Sequence, residues 1–465
     1  MRSRTFLLVA AASAMLTGCD TFGPLGETIS GWFSGPSKSD LKGERISVMT
    51  TDQALLPDPA LANVKVVLPP PYANTEWPEP GGYAANAMYH LEARGPLHQE
   101  WSVDAGKGSD SDSRLTTSPI VAGGRIYVLD AEAHLFAFDA HDGHSLWDLE
   151  LAPRGKDNSY FFGLLGDKNS INPAKGFGGG VGYEAGRVFV TTGFGDVFAL
   201  NAATGRQLWK TNLGVPIVNA PVANGGRIFV SSEDNHFYAL AEIDGRKLWD
   251  HQGIAEAAGI LESTSAAVAG EFVIAPYTSG ELFALRVQNG RPAWNDMLTR
   301  SGTVTALSEL DDIAARPVVD RDLVFAISHS GIMAAINLAT GDRIWSRYIG
   351  GIQTPWAAGD FLFVLTTDGQ LLCLQRKDGS VKWLHQLPRW EDADNKKHAI
   401  VWSGPVLVSD RLVVVSSTGR AVAISPYSGS HLGEMELPEG TSIAPIVAND
   451  TMYILTTDAK LLALR

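Results

Sequence analysis

The stretch from Pro221 to Trp249 constrains the fold more than any other, because most of the chain repeats it. It contains Pro221-Val222, the turn Gly225-Gly226, the runs Arg227-Ile228-Phe229-Val230 and Phe237-Tyr238-Ala239-Leu240, then Asp244-Gly245 and Lys247-Leu248-Trp249. β-Branched and aromatic runs separated by turn pairs this close read as antiparallel strands joined by hairpins. One such unit cannot bury both of its faces, so it needs neighbours of its own kind.

Those neighbours fill the chain from about residue 96. The Phe-Tyr-Ala-Leu run returns in runs ending at Phe138, Leu200, Leu285, Ile336, Leu374, Ile424 and Leu464, which makes eight copies. Its third position is Ala in all but one copy and Cys373 in the remaining one, so it calls for a small side chain where a neighbouring sheet presses close. Further on, a glycine stands four residues before a tryptophan in Gly143/Trp147, Gly205/Trp209, Gly245/Trp249, Gly290/Trp294, Gly341/Trp345 and Gly379/Trp383; the seventh unit keeps Gly429 but has Gly433 in the tryptophan place. The tryptophan is expected to seat on an adjacent unit.

The last unit stops at Arg465 without its Gly and Trp strand, and Pro96 to Trp101 supplies that strand at the other end. Pairing the two ends in one blade removes the unpaired edges that an open array would leave. The expected fold is therefore all-β: an eight-bladed β-propeller of four-stranded antiparallel blades over residues 96–465, closed by pairing of N- and C-terminal strands.

Residues 1–95 lack the repeat. Arg2 and Arg4, the apolar run Phe6 to Leu16 and Leu16-Thr17-Gly18-Cys19 read as a lipoprotein signal peptide over 1–18, with Cys19 lipidated. Residues 19–64 read as a flexible tether, since Thr21 to Lys42 is rich in Gly, Ser and Pro. Residues 65–95 combine prolines with Trp77, Tyr83, Met88 and Tyr89 and are expected to pack across the propeller. Two insertions interrupt the repeat. Pro153 to Tyr183, carrying Tyr160-Phe161-Phe162, reads as either a docking element or a plug over the channel, and Leu387 to Ala399 as a solvated charged loop.

A net charge of −14 argues against nucleic acid, which needs a face rich in Lys and Arg. Cys373 occupies the small core position, and with Cys19 the only other cysteine there is no disulfide framework. His90, His98, His134, His141 and His144 form the densest histidine group, without metal-ligand spacing, and read as solvated. No nucleophile elbow and no Ca²⁺-loop carboxylate pattern is present, so no catalytic residue, metal or cofactor is assigned.

The Gly-x-x-x-Trp units with their Leu-Phe-Ala-Leu strands resemble the repeats of quinoprotein dehydrogenase propellers. Repeats, lipobox and eighth-blade closure together are similar to the BamB family, lipoprotein subunits of the outer-membrane β-barrel assembly (BAM) complex. That resemblance implies a periplasm-facing scaffold that helps outer-membrane β-barrel proteins fold and insert by binding the POTRA region of the barrel-inserting, BamA-like subunit. Unfolded outer-membrane proteins are a further implied partner. The alternatives are another periplasmic propeller adaptor or a quinone-dependent dehydrogenase, whose vicinal cysteine pair this chain lacks. An anchor in the outer membrane is implied, although Asp20 marks inner-membrane retention in enterobacterial-type sorting and leaves the membrane open. In the family the partner meets loops that lead into the first strands of two middle blades. The matching residues are Leu261, with Glu262 where the pattern has Arg, and Asp312, beside Asp311 in an acidic turn and with Ala314 where the pattern has a second acid. Both loops are expected to be exposed.

Overall fold

The structure, a computed structural model, describes residues 55–93, 95–111, 113–153, 178–254, 264–299 and 312–465. Cys19, Leu261, Glu262, Asp311 and the loop around Tyr160 lie outside the described residues.

Antiparallel hairpins build eight four-stranded sheets, arranged as the blades of a propeller. Blade one runs from Ile120 to Glu150, two from Gly179 to Asn212, three from Val222 to Gln252 and four from Ala267 to Met297. Blade five runs from Val318 to Arg347, six from Trp356 to Gln386 and seven from Trp402 to Glu436. Blade eight joins the strands between Ile446 and Leu464 to Gln99–Asp104, as the sequence leads one to expect. There Trp101 lies opposite Ala463, while His98 and Arg465 exchange backbone hydrogen bonds of 2.8 and 3.0 Å. First strands such as Ile120–Ala122 are fully buried, whereas last strands such as Ser145–Glu150 alternate outward and inward.

The repeat residues interlock. In every blade but the seventh, where Ala423 lies opposite Gly433, the small residue sits directly across the sheet from the tryptophan of its own blade, as in Ala137 and Trp147, Ala239 and Trp249, or Cys373 and Trp383. A larger side chain there would push the indole out, so the close neighbour is that ring. Each indole then covers the glycine of the next blade. A Cβ on Gly245 would come within 2.5 Å of the Trp209 ring, and its φ of +71° already disfavours other residues. The ring nitrogen donates across the same junction, Trp209 to Glu242 O at 2.8 Å and Trp294 to Leu338 O at 2.8 Å.

Only the junction from blade seven to blade eight lacks a tryptophan, having Gly433 with nothing within 4 Å of its would-be Cβ. This is the junction the chain itself crosses on its way to Gln99. The Ser409 hydroxyl binds the Ala93 amide at 2.9 Å, and Arg411 donates to the carbonyls of Ala93 and Gly95.

Two boundaries differ from the sequence reading, and the charged insertion is exposed as expected but forms a hairpin. Residues 58–62, assigned to the tether, lie on blade six: the Asp58 amide donates to Val381 O at 2.8 Å and Lys382 Nζ to Leu61 O at 2.7 Å. Gly179 to Tyr183, assigned to a loop, belong to the first strand of blade two, Gly179–Glu184. The insertion at 387–399 is a short hairpin, Trp390–Asp392 with Lys397–Ala399, rooted by the buried Leu387.

Candidate functional site

A propeller axis is walled by the first strand of every blade, and each such strand has one edge with no sheet partner. Here residues 72–93 occupy that position as a strap. Pro78 and Pro80 keep the backbone extended and contribute carbonyls without amide donors, which suits a segment that must accept from its surroundings.

The strap meets the blades in ring order. Asn74 reaches blade eight, its side-chain nitrogen donating to Val447 O at 2.9 Å and its carbonyl accepting from Asn449 at 2.7 Å. Trp77 and Val121 of blade one exchange bonds of 2.6 and 2.9 Å, and Pro78 O accepts from Tyr183 of blade two at 2.9 Å. A Glu79 oxygen accepts from Ala223 of blade three at 2.9 Å. Ala84 O and Ala85 O accept from Val268 of blade four at 2.6 Å and Val319 of blade five at 2.9 Å. Tyr89 O accepts from the Trp356 ring of blade six, and the Leu91 carbonyl accepts from Ser409 of blade seven at 2.9 Å. All eight inner strands are thus tied to one segment.

Three side chains fix the strap. His90, 1% exposed, bonds Pro69 O through Nδ1 at 2.7 Å and accepts from the Asp410 amide at Nε2. That corrects its reading as solvated, whereas His98, His141 and His144 are indeed exposed and His134 is half-buried against Phe136. Arg376 and Asp320 form a buried ion pair between blades five and six, to which the Tyr89 hydroxyl donates at 3.2 Å.

Glu79 is the third. Gly182 makes room for it, since a Cβ there would lie 2.8 Å from its second oxygen. Burial pushes the carboxyl well above the ordinary range; the Ala223 hydrogen bond pulls it down less, and Glu184 adds to the rise. Below about pH 4.3 both folded and unfolded chains hold this proton; above it the unfolded chain ionises first, so stability falls as pH rises. Glu79→Gln should abolish that component, worth about 1.4 kcal/mol for each pH unit over which only the unfolded carboxyl is charged. Urea midpoints from pH 4 to pH 8 measure it, and parallel curves for the two proteins would refute the assignment.

Above the strap the axis holds a cavity of about 80 Å³ between Trp77, Asn86, Arg316, Gln353, Trp356 and Ser442. Among the described residues that line it there is no carboxylate. Asp139, Asp142 and His144 come within 4.8 Å of one another in a blade-one turn, but the two carboxylates accept from the amides of His141 and His144 and hold that turn.

Of the expected docking residues only Asp312 is described. It is 3% exposed, and its carbonyl accepts from His329 at 2.9 Å, so the expectation of exposure fails there. The strap bonds themselves carried no signal in the sequence beyond the prolines and aromatics of 65–95.

The sequence profile described as outer membrane protein assembly factor BamB matches residues 98–159, 163–385 and 388–465. The factor of that name from Salmonella typhimurium is 28% identical over 365 residues, covering 78% of this chain and 88% of that protein. A protein of Rickettsia prowazekii described as uncharacterized is 27% identical over 305 residues, 65% of this chain and 69% of its own. Among solved structures, BamB from Moraxella catarrhalis superposes with a TM-score of 0.63 at 15% identity, covering 80% of this chain and 100% of that one. A quinohaemoprotein alcohol dehydrogenase from Comamonas testosteroni reaches 0.61 at 13% identity, covering 84% and 80%. At these identities the two structures speak for the fold alone.

Proposed function

The chain belongs to the family of the outer membrane protein assembly factor BamB, and from that membership we propose that it is a non-enzymatic scaffold of the β-barrel assembly complex. In this reading Cys19 carries the lipid anchor, the propeller faces the periplasm, and loops between blades bind the barrel-inserting subunit. One observation carries the choice of scaffold over catalyst: the chain fills its own axis with a strap bonded to all eight blades.

The quinone cofactor that the dehydrogenase neighbours suggest does not fit these residues. The cavity left above the strap is about 80 Å³, against roughly 300–1,000 Å³ for ordinary ligand pockets. Among the described residues its lining offers no carboxylate, and Cys373, buried in blade six, has no second cysteine beside it.

The proposed docking loops precede the inner strands Ala267–Ala269 and Val318–Asp320 and contain Leu261, Glu262, Asp311 and Asp312. Because Asp312 is buried, truncating it would mix folding with binding, so the test pairs Leu261→Ala with Asp311→Ala. Affinity purification from detergent-solubilised envelope should recover the barrel-inserting subunit with the parent protein and at least about fivefold less with the double variant, as losing an anchor of about 1–3 kcal/mol implies. Cys19→Ala should move the protein to the soluble fraction. Full recovery with a folded double variant would shift the docking surface elsewhere; failure to recover any assembly subunit would overturn the scaffold reading.

A further inference from the structure

The solvent side of the strap carries an aromatic cluster that the docking loops leave unused. Tyr72, Tyr83 and Tyr89 are 36%, 39% and 39% exposed. They are neighbours: the Tyr72 hydroxyl donates to Met88 O at 3.2 Å, beside Tyr89, and the Tyr83 hydroxyl to Asn74 Oδ1 at 3.0 Å, two residues from Tyr72. Burial, and then the charges of the other two phenols, push the Tyr72 hydroxyl up to about 12.

The polarity of this cluster is one-sided. Tyr89 donates to Asp320 Oδ1, so all three phenolic hydrogens point into the protein. Oxygen lone pairs and ring faces remain for the solvent; burial first and then Glu76 raise the Tyr83 hydroxyl, and burial first and then Asp320 raise that of Tyr89, which Arg376 and Arg321 pull down less. The nearby cations are committed: Arg376 is buried against Asp320 and lies over the Phe325 ring at 5.2 Å, while Arg321 bonds Gly359 O at 3.2 Å and Asp360 at 3.5 Å. Acceptors and electron-rich ring faces on a chain of net charge −14 are complementary to a donor-rich cation, a guanidinium or ammonium laid over the rings.

We propose that the tyrosine face of the strap docks a short basic segment, bearing arginine or lysine, of a partner protein. This face is built by residues 72–89 and is independent of the loops at 261–262 and 311–312. Tyrosines suit the task because they offer large rigid rings at little entropic cost.

The test titrates the full chain with a dye-labelled nonapeptide of alternating arginine and serine, beside a glutamate and serine peptide of the same length. The arginine peptide should bind at least tenfold more tightly to the parent than to the Tyr72→Ser/Tyr83→Ser/Tyr89→Ser variant, which has the same net charge. Ala73→Arg, at an exposed position next to Tyr72, places a competing cation in the patch without touching the packing and should weaken binding equally. Parent-like binding by Ala73→Arg or by the triple serine variant would mean general attraction to the acidic chain, equal binding of both peptides would mean binding without recognition of charge, and either result would overturn the proposal. Retention on phosphatidylethanolamine vesicles that is lost in the same variants, without peptide binding, would assign the face to a membrane surface and also overturn it.

Discussion

Replacing Trp249 by alanine will lower the stability of the propeller by about 4 kcal/mol, the middle of the range for burying and then deleting a large aromatic ring. The ring is buried between Phe229 at 5.9 Å and Phe237 at 6.2 Å, covers Gly290 of the next blade and donates to Val287 O at 2.9 Å. Truncation empties that space and leaves the Val287 carbonyl without its donor. Trp249→Phe keeps much of the apolar contact and loses the hydrogen bond, so it should cost about 1–2 kcal/mol. Leu432→Ala, on the outer strand of blade seven next to Gly433 and 52% exposed, should change little. Urea unfolding followed by tryptophan fluorescence and circular dichroism measures all three. A loss below 1 kcal/mol for Trp249→Ala would show that the indoles do not lock the ring.

Deleting residues 96–101 is expected to cost more. It removes Trp101, whose ring covers Gly143 and donates to His141 O at 3.1 Å, and with it the start of the strand that pairs with Lys460–Leu464. A lost aromatic dock of about 3–5 kcal/mol and several ladder bonds of about 1 kcal/mol each approach the 5–15 kcal/mol that holds a whole domain together. The variant should therefore unfold at a much lower urea concentration or in more than one step, because blade eight becomes an open edge. An unchanged single transition would mean that the strap alone closes the ring.

The seventh blade shows how far pattern reading reaches. Gly433 in the tryptophan place is visible in the sequence as an exception; its setting is that blade eight takes its outer strand, Gln99–Asp104, from the other end of the chain and so has no glycine turn there for an indole to cover. The neighbouring blades compensate on the other side, where Trp101 restores the pattern at the closing strand. Likewise the alanine of each unit was legible as a demand for a small side chain. That the demand comes from the indole opposite it, in the same blade, required the strand register.

The sequence by itself determined the number of blades, the strands within them, the seating of each tryptophan on an adjacent unit and the closure of the ring; that the indole covers the next blade's glycine came from the structure. Each of these rests on side chains that recur at a fixed period, because a blade buries its faces only against copies of itself. The course of residues 72–93, the burial of Glu79 and His90, and the burial of Asp312 were decided by the tertiary structure. The strap is held largely by backbone amides and carbonyls of the inner strands, blade six alone using its Trp356 ring, and such groups are shared by every residue type, so no pattern of side chains announces which segment will satisfy them.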